Sequence, residues 1–407
     1  MPIADMLTHS PPIPLIIDCY SQDDNVDSVV EEELTLALEQ RDPVCRIRLG
    51  LPAPGLQRLL MTIDGEYPIL EFMSVGTRME AGMALILPES LHAPQLRHLL
   101  LFNVVIPTGS RFLVPSMGLV TFFLSSQYTS TYTDFRLPVL IQWLSSMRQL
   151  ETLVIDFACL VPNHYVEKQL MYTPITTQVT LPNLRRLVFQ GVTAYLDALI
   201  CRITAPSLEK LGIYFFEPPT LSAPRLLQFI NTTEKLKSSS AKFQFFNKEV
   251  VLIAYPREKA RTYGLTILIR CVHLDQQVSS VAPILDALSR KVSVVEHLTF
   301  EHELHSHSSE EHNEVDSTEW RRLLWPFTNS LHRPWVRWGA LSLPSTARQR
   351  TPFGAVIRAA GTQIPGSGDV DNAFTSFTDA RQNIGRPITL ARTPESSSFS
   401  APVVTSE

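Results

Sequence analysis

A single apolar frame, Leu, two free residues, Leu, one free residue, apolar, recurs along the chain and constrains the fold more than any other feature. It is cleanest at Leu184-Arg-Arg-Leu187-Val-Phe189, and returns as Leu150-Glu-Thr-Leu153-Val-Ile155, Leu208-Glu-Lys-Leu211-Gly-Ile213, Leu96-Arg-His-Leu99-Leu-Leu101 and Val295-Glu-His-Leu298-Thr-Phe300. Weaker copies are Val44/Ile47/Leu49, Leu56/Leu59/Met61, Leu70/Met73/Val75, Leu119/Phe122/Leu124 and Leu236/Ser239/Ala241. Pro94, Pro182 and Pro206 each stand two residues before a first frame leucine, where proline ends the preceding segment and favours an extended one. A fixed apolar frame with free intervening positions marks a repeat.

Such a frame describes a short strand with alternate residues pointing inward, followed by a return segment that closes a coil. One coil cannot bury its own apolar edge, whereas stacked coils bury each other's leucines. The fold class expected is therefore α/β, a leucine-rich-repeat solenoid: an uneven horseshoe with a parallel sheet on its concave face and helices outside. The competing reading is an ordinary parallel α/β sheet, whose buried strands are also apolar runs.

Between copies the apolar period shifts from two towards 3.6, predicting helices around Pro138–Leu144, Tyr195–Ile203, Pro224–Ile230, with Ser222 as cap, and Val281–Leu288. Pro14–Tyr20 reads as a first strand. Ser28 with Glu31 has capping-box spacing ahead of a helix to Leu38. The frame lapses between Lys248 and Cys271, but Val250–Tyr255 and Tyr263–Cys271 still read as strands. The organisation expected is a strand-helix cap over 1–43, repeats over 44–325, a basic disordered segment over 326–366, a capping segment over 367–393 with a helix at Ala373–Gln382, and a disordered tail over 394–407. The 326–366 segment contains no acidic residue.

A net charge of -5 with 18% charged residues supplies no overall basic field for nucleic acid, and no nucleic-acid partner is expected. Trp325, Trp335 and Trp338 among arginines are read as part of the disordered segment rather than as a stacking platform. The five cysteines stand far apart without a Cys-x-x-Cys pair, arguing against zinc and against a disulfide framework. No apolar stretch reaches the roughly 18 residues of a membrane span, so no membrane partner is expected and the location expected is cytoplasmic or nuclear.

His302-Glu-Leu-His305-Ser-His307 with His312 is the densest group of metal-capable side chains, but its second histidine comes one residue early for a His-Glu-x-x-His helix, and its neighbours read as a polar loop. Gly366-Ser-Gly368 lacks the third glycine of a phosphate cradle, and no Gly-x-Ser-x-Gly elbow is present. No enzyme, cofactor, metal or catalytic residue is expected; a metal-dependent hydrolase is the alternative from another class.

The free positions of the frame remain. Strand alternation turns His98, Thr152, Arg186, Lys210 and His297 towards the concave side, with Arg97, Glu151, Arg185, Glu209 and Glu296 nearer the coil edge. Arg97, Arg185, Arg186 and Lys210 form the candidate protein-binding set, suited to an acidic partner surface.

Four phrases, Pro174-Ile-Thr-Thr-Gln-Val-Thr-Leu-Pro-Asn-Leu-Arg-Arg-Leu187, His273-Leu-Asp-Gln-Gln-Val-Ser-Ser280, Ser308-Ser-Glu-Glu-His-Asn-Glu-Val-Asp316 and Asp379-Ala-Arg-Gln-Asn-Ile-Gly-Arg-Pro387, make the chain resemble fungal F-box proteins with irregular leucine-rich repeats, expanded in mushroom-forming fungi. The likeness covers about 14–325 and 367–392. It implies a substrate receptor of a cullin-RING ubiquitin ligase, in which an F-box holds the adaptor and the repeats hold the target. The family's opening Leu-Pro-x-Glu phrase has no counterpart before Pro14, and Leu87-Pro-Glu-Ser90 lies inside the repeats. The adaptor and cullin are thus expected partners without their docking unit in this sequence. The other readings are a free-standing repeat scaffold or a decoy.

Overall fold

A computed structural model describes residues 14–21, 28–77, 85–107, 110, 112–113, 118–126, 137–157, 177–215, 223–236, 238–246, 248–256, 264–271, 274–288, 291, 295, 297–302, 322–323 and 336–338. The strands are β1 (Leu15–Tyr20), β2 (Val44–Gly50), β3 (Phe72–Gly76), β4 (Leu85–Ile86), β5 (His98–Phe102), β6 (Val104–Val105), β7 (Thr121–Ser125), β8 (Thr152–Asp156), β9 (Val179–Thr180), β10 (Arg186–Gly191), β11 (Ile203–Thr204), β12 (Lys210–Phe215), β13 (Ser240–Phe245), β14 (Glu249–Tyr255), β15 (Leu265–Arg270), β16 (His297–His302) and β17 (Val336–Trp338). The helices are α1 (Ser28–Glu39), α2 (Ala53–Thr62), α3 (Leu137–Ser146), α4 (Thr193–Ile200), α5 (Pro224–Thr232) and α6 (Leu274–Ala287). Thirteen strands form one sheet, ordered β1-β2-β3-β5-β7-β8-β10-β12-β15-β14-β13-β16-β17, which does not close into a barrel. Two short parallel pairs, β4/β6 and β9/β11, lie outside it.

The frame residues explain how the strands meet. The first one closes a turn just ahead of its strand: the N–H groups of Leu70, Leu96, Leu150, Leu184 and Leu208 donate to the carbonyls of Tyr67, Ala93, Met147, Leu181 and Ala205 at 3.1–3.4 Å. The next two N–H groups then share one carbonyl just ahead of the neighbouring strand. Arg97 and His98 donate to Glu71, Val120 and Thr121 to Arg97, Glu151 and Thr152 to Val120, Arg185 and Arg186 to Glu151, and Glu209 and Lys210 to Arg185. This link sets a parallel register in which like positions face like. Ile47, Met73, Leu99, Phe122, Leu153, Leu187 and Leu211 form one row, and Leu49, Val75, Leu101, Leu124, Ile155, Phe189 and Ile213 the next. All fourteen are at most 2% exposed.

These rows share one continuous core with Leu34 and Leu38 of α1, Leu56, Leu59 and Leu60 of α2, Leu140 and Leu144 of α3, Leu196 and Leu199 of α4, Leu226 and Ile230 of α5, and Val278, Val281 and Leu285 of α6. The alternate residues of the same strands form separate apolar clusters containing no helical residue. Among the described residues, therefore, the helices cover one face of the sheet, unlike a sheet wound with helices on both sides.

Polar groups tie this layer together. Tyr67 donates from its buried hydroxyl to the Leu38 carbonyl at 2.8 Å, and burial pushes its pKa up to about 12. Asn103 adopts a left-handed φ of 59° after β5 and donates from Nδ2 to the Thr77 carbonyl at 3.2 Å; asparagine tolerates that conformation better than most residues. The Ser222 expected as the α5 cap lies outside the described residues. The capping position is Ala223, which makes no side-chain bond, and proline follows it. The bond comes instead from α4, where Asp197 Oδ1 accepts the N–H groups of Arg225 at 3.1 Å and Leu226 at 3.0 Å. Glu31, in the first turn of α1, accepts Arg58 Nε at 2.5 Å and Nη2 at 2.6 Å on its two carboxylate oxygens, joining α1 to α2.

Three strand expectations are corrected. Leu56/Leu59/Met61 lies in α2, where residues five apart differ by roughly 140° around the axis; Leu56 and Leu59 are buried while Met61 is 64% exposed. In β13 it is Ala241 and Phe243 that align with frame residues Leu298 and Phe300, so the Leu236/Ser239/Ala241 reading is out of phase by two. The sheet is mostly, not wholly, parallel: β14 runs antiparallel to both β13 and β15, and this excursion places β15, not β13, beside β12. Of the 326–366 segment expected to be disordered, Val336–Trp338 is described and pairs in parallel with Leu298–Phe300; the remainder and the 367–407 expectations lie outside the described residues.

Leu187 sits mid-row at 0% exposure. Leu187→Ala should cost about 2–5 kcal/mol, and Leu187→Asp, which buries an unpaired charge, should abolish cooperative unfolding of this region. Met61→Asp should stay within about 0.5 kcal/mol of the parent. Asp197→Ala, removing the cap, should cost about 1–2 kcal/mol. Urea unfolding followed by circular dichroism measures all four.

Candidate protein-recognition face

The sheet face away from the helices carries every second residue of each strand. Along its N-terminal side runs the row Arg46, Phe72, His98, Thr121, Thr152, Arg186 and Lys210, each directly beside the next. Arg46 lies over the Phe72 ring with its guanidinium carbon 4.3 Å from the centroid. Phe72 meets the His98 ring at 6.1 Å, and His98 Nδ1 is 3.1 Å from Thr121 Oγ1.

The next row inward, Arg48, Ser74, Leu100, Phe123, Val154, Val188 and Gly212, is apolar at its centre. Phe123, Val154 and Val188 pack as a buried cluster with Leu100, Phe102 and Tyr214 against it. Tyr214 also touches a second cluster of Val251, Ile253 and Leu268, so the apolar band continues across the reversed strands.

Two glycines shape the band's β1–β5 end. A Cβ on Gly50 would lie 2.3 Å from Tyr20 Cε1, and one on Gly76 would lie 2.5 Å from Phe102 Cβ. Their missing side chains let Tyr20 and Phe102 lie close over the neighbouring strand. Arg48 stacks on Tyr20 at 4.6 Å, donates from Nε to its hydroxyl at 2.9 Å, and stands 3.8 Å from Asp18 Oδ2. Phe102 meets Phe123 at 4.6 Å.

Of the binding residues expected from sequence, Arg186 and Lys210 are neighbours across β10 and β12 and both are half-buried. Arg97 and Arg185 are exposed at the edge ahead of β5 and β10, with the strands β7 and β8 between them. That separates them by about 14 Å at ordinary strand spacing. Acids stand at the same edge, Glu151 between Arg97 and Arg185 and Glu71 and Glu209 to either side of them, all exposed, with Glu209 3.8 Å from Lys235. The four cations therefore form one adjacent pair and two separate edge positions. Thr152 and His98 lie in the expected row. His297 belongs to β16, four places further along the sheet than β12.

Sequence reasoning missed Arg46, Arg48, Phe72, Phe102 and Phe123. The signal was present: His98-Leu-Leu-Leu-Phe102 and Thr121-Phe-Phe-Leu124 are continuous apolar runs, the mark of strands apolar on both sides.

Of the histidine cluster, His305, His307 and His312 lie outside the described residues. Among the described residues no group of three His, Cys, Asp or Glu is placed to hold a metal ion. Cys19, Cys45, Cys201 and Cys271 are free thiols, and burial pushes the Cys19 and Cys271 pKa values to about 11, away from nucleophilic chemistry. No helix among the described residues is long and apolar enough to cross a membrane. The sequence matches no protein-family model and no curated protein sequence.

Burial, then Arg97 and Arg46, depress the His98 pKa below its ordinary 6.5, with Glu71 opposing. The folded state thus favours neutral His98, and the stability it contributes is present above pH 6.5 and is lost as pH falls through the folded pKa. An imidazole proton titration by NMR should place His98 below 6.5, and Arg46→Gln should move it slightly upward. An unmoved titration would show that the Arg46 charge does not reach His98.

Proposed function

We propose that this chain is a leucine-rich-repeat solenoid whose open sheet face recognises protein segments, as the substrate-binding part of an F-box ubiquitin-ligase receptor does. The observation that carries the reading is the division of the sheet: helices and frame leucines take one face, leaving the other to aromatic and aliphatic side chains rimmed by Arg46, Arg186 and Lys210. Aromatic and arginine side chains around a desolvated centre are the usual composition of an interface hot spot. Repetition of one coil-to-coil link also suits a solenoid, in which each unit contacts mainly its neighbours. The ligase assignment is supported by the resemblance of the four sequence phrases to the fungal family.

Affinity capture from a fungal extract, probed for the ligase adaptor and cullin, tests both parts. The adaptor and cullin should be retained together with target proteins. Retention of specific proteins without the adaptor would remove the ligase assignment and leave recognition. Arg186→Glu with Lys210→Glu should weaken target capture at least about tenfold, or ~1.4 kcal/mol, with the circular dichroism spectrum unchanged. Undiminished capture would move the contact to another face.

A further inference from the structure

Arg46 differs from the other cations of the open face. Its Nε is buried without a hydrogen-bond partner, and it forms no ion pair among the described residues. The Phe72 ring lies beneath it, 4.3 Å from the guanidinium carbon, and this contact restricts the side chain before an anion arrives. A half-buried guanidinium without an ion-pair partner attracts a carboxylate, and the strongest such pair forms two parallel bonds.

The surroundings define the rest of the ligand. Arg48 is shared with Tyr20 and Asp18. Counting Arg46, Arg48 and Asp18, with His98 neutral, the local charge is two cations against one anion, or +1; the edge residues Glu71 and Arg97 cancel. One carboxylate balances this, whereas a dianionic phosphate overcharges it and faces Asp18. Two strands across from Arg46 begins an apolar floor of Leu100, Phe102 and Phe123, held flat by the contact of Phe102 over Gly76. From Arg46 to Leu100 the offset is two residues along a strand and two strands across, about 12 Å, which an extended chain spans in three or four residues.

Resting on the protein-recognition reading above, we propose that the β1–β5 end of the open face reads an acidic segment of a partner protein: one Asp or Glu carboxylate on Arg46, and an aromatic or aliphatic side chain three or four residues away on the Leu100/Phe102/Phe123 floor. This site is separate from the Arg186/Lys210 pair, which lies beyond β7 and β8.

Phage-displayed random heptapeptides selected on the immobilised full chain, and in parallel on Arg46→Gln, provide the test. On the parent chain, enriched peptides should share an acid with an apolar residue three or four places away. On Arg46→Gln, shown to fold by circular dichroism, the acid preference should vanish while the apolar preference stays. The best peptide, made synthetically with a fluorescent label, should bind Arg46→Gln at least tenfold more weakly. Peptides lacking a shared acid, an acid preference that survives Arg46→Gln, or no enrichment at all would overturn the site. The first two outcomes leave protein recognition by this face standing; the third, together with failed capture from extract, removes both.

Discussion

The described structure depends on the burial of each frame leucine by the strands on either side of it. A strand of five or six residues has too little apolar area to remain ordered alone. Leu187 becomes fully buried because Leu153 and Leu211 flank it in register and the helical layer lies behind it. The carbonyl shared by two N–H groups at the start of the next strand makes that register repeat without drift from β3 to β12. A slip of one residue would send every frame leucine to the opposite face.

The same register makes the open face as ordered as the core. Because like positions align, substitutions at one slot of neighbouring strands write a row across the sheet. Arg46, Phe72, His98 and Thr121 become a chain of touching side chains, cation on ring, ring beside ring and imidazole on hydroxyl, although they stand far apart in sequence. Glycine at positions 50 and 76 belongs to that writing, since any Cβ there would displace Tyr20 or Phe102.

Much of this was legible in the sequence. The strong frames at β5, β8, β10 and β12 were readable because three apolar positions with fixed spacing survive any choice of the free residues. The helices α3, α4 and α5 showed in the change of apolar period. What sequence could not supply was direction and distance. Nothing in Val250–Tyr255 says that β14 runs antiparallel, because alternation is the same read either way. The cap on α5 was invisible because its acceptor, Asp197, lies on another helix. In β13 the small Ala241 occupies a frame position, so the nearest leucine, Leu236, set the wrong phase. The slot before the second leucine supplied His98, Thr152, Arg186 and Lys210, whereas the apolar band of the open face comes from the slot after it, where Leu100, Phe123, Val154 and Val188 lie.

The most direct measurement is the network of methyl NOEs in leucine- and valine-labelled protein. If the frame builds the sheet, Leu153, Leu187 and Leu211 will be linked in series, and Val154 and Val188 will be linked to each other, without cross-peaks to the helical leucines of α3 and α4. Absence of a Leu153 to Leu187 contact, or valines of the open face tied to helical leucines, would contradict a one-sided sheet built on the repeated frame.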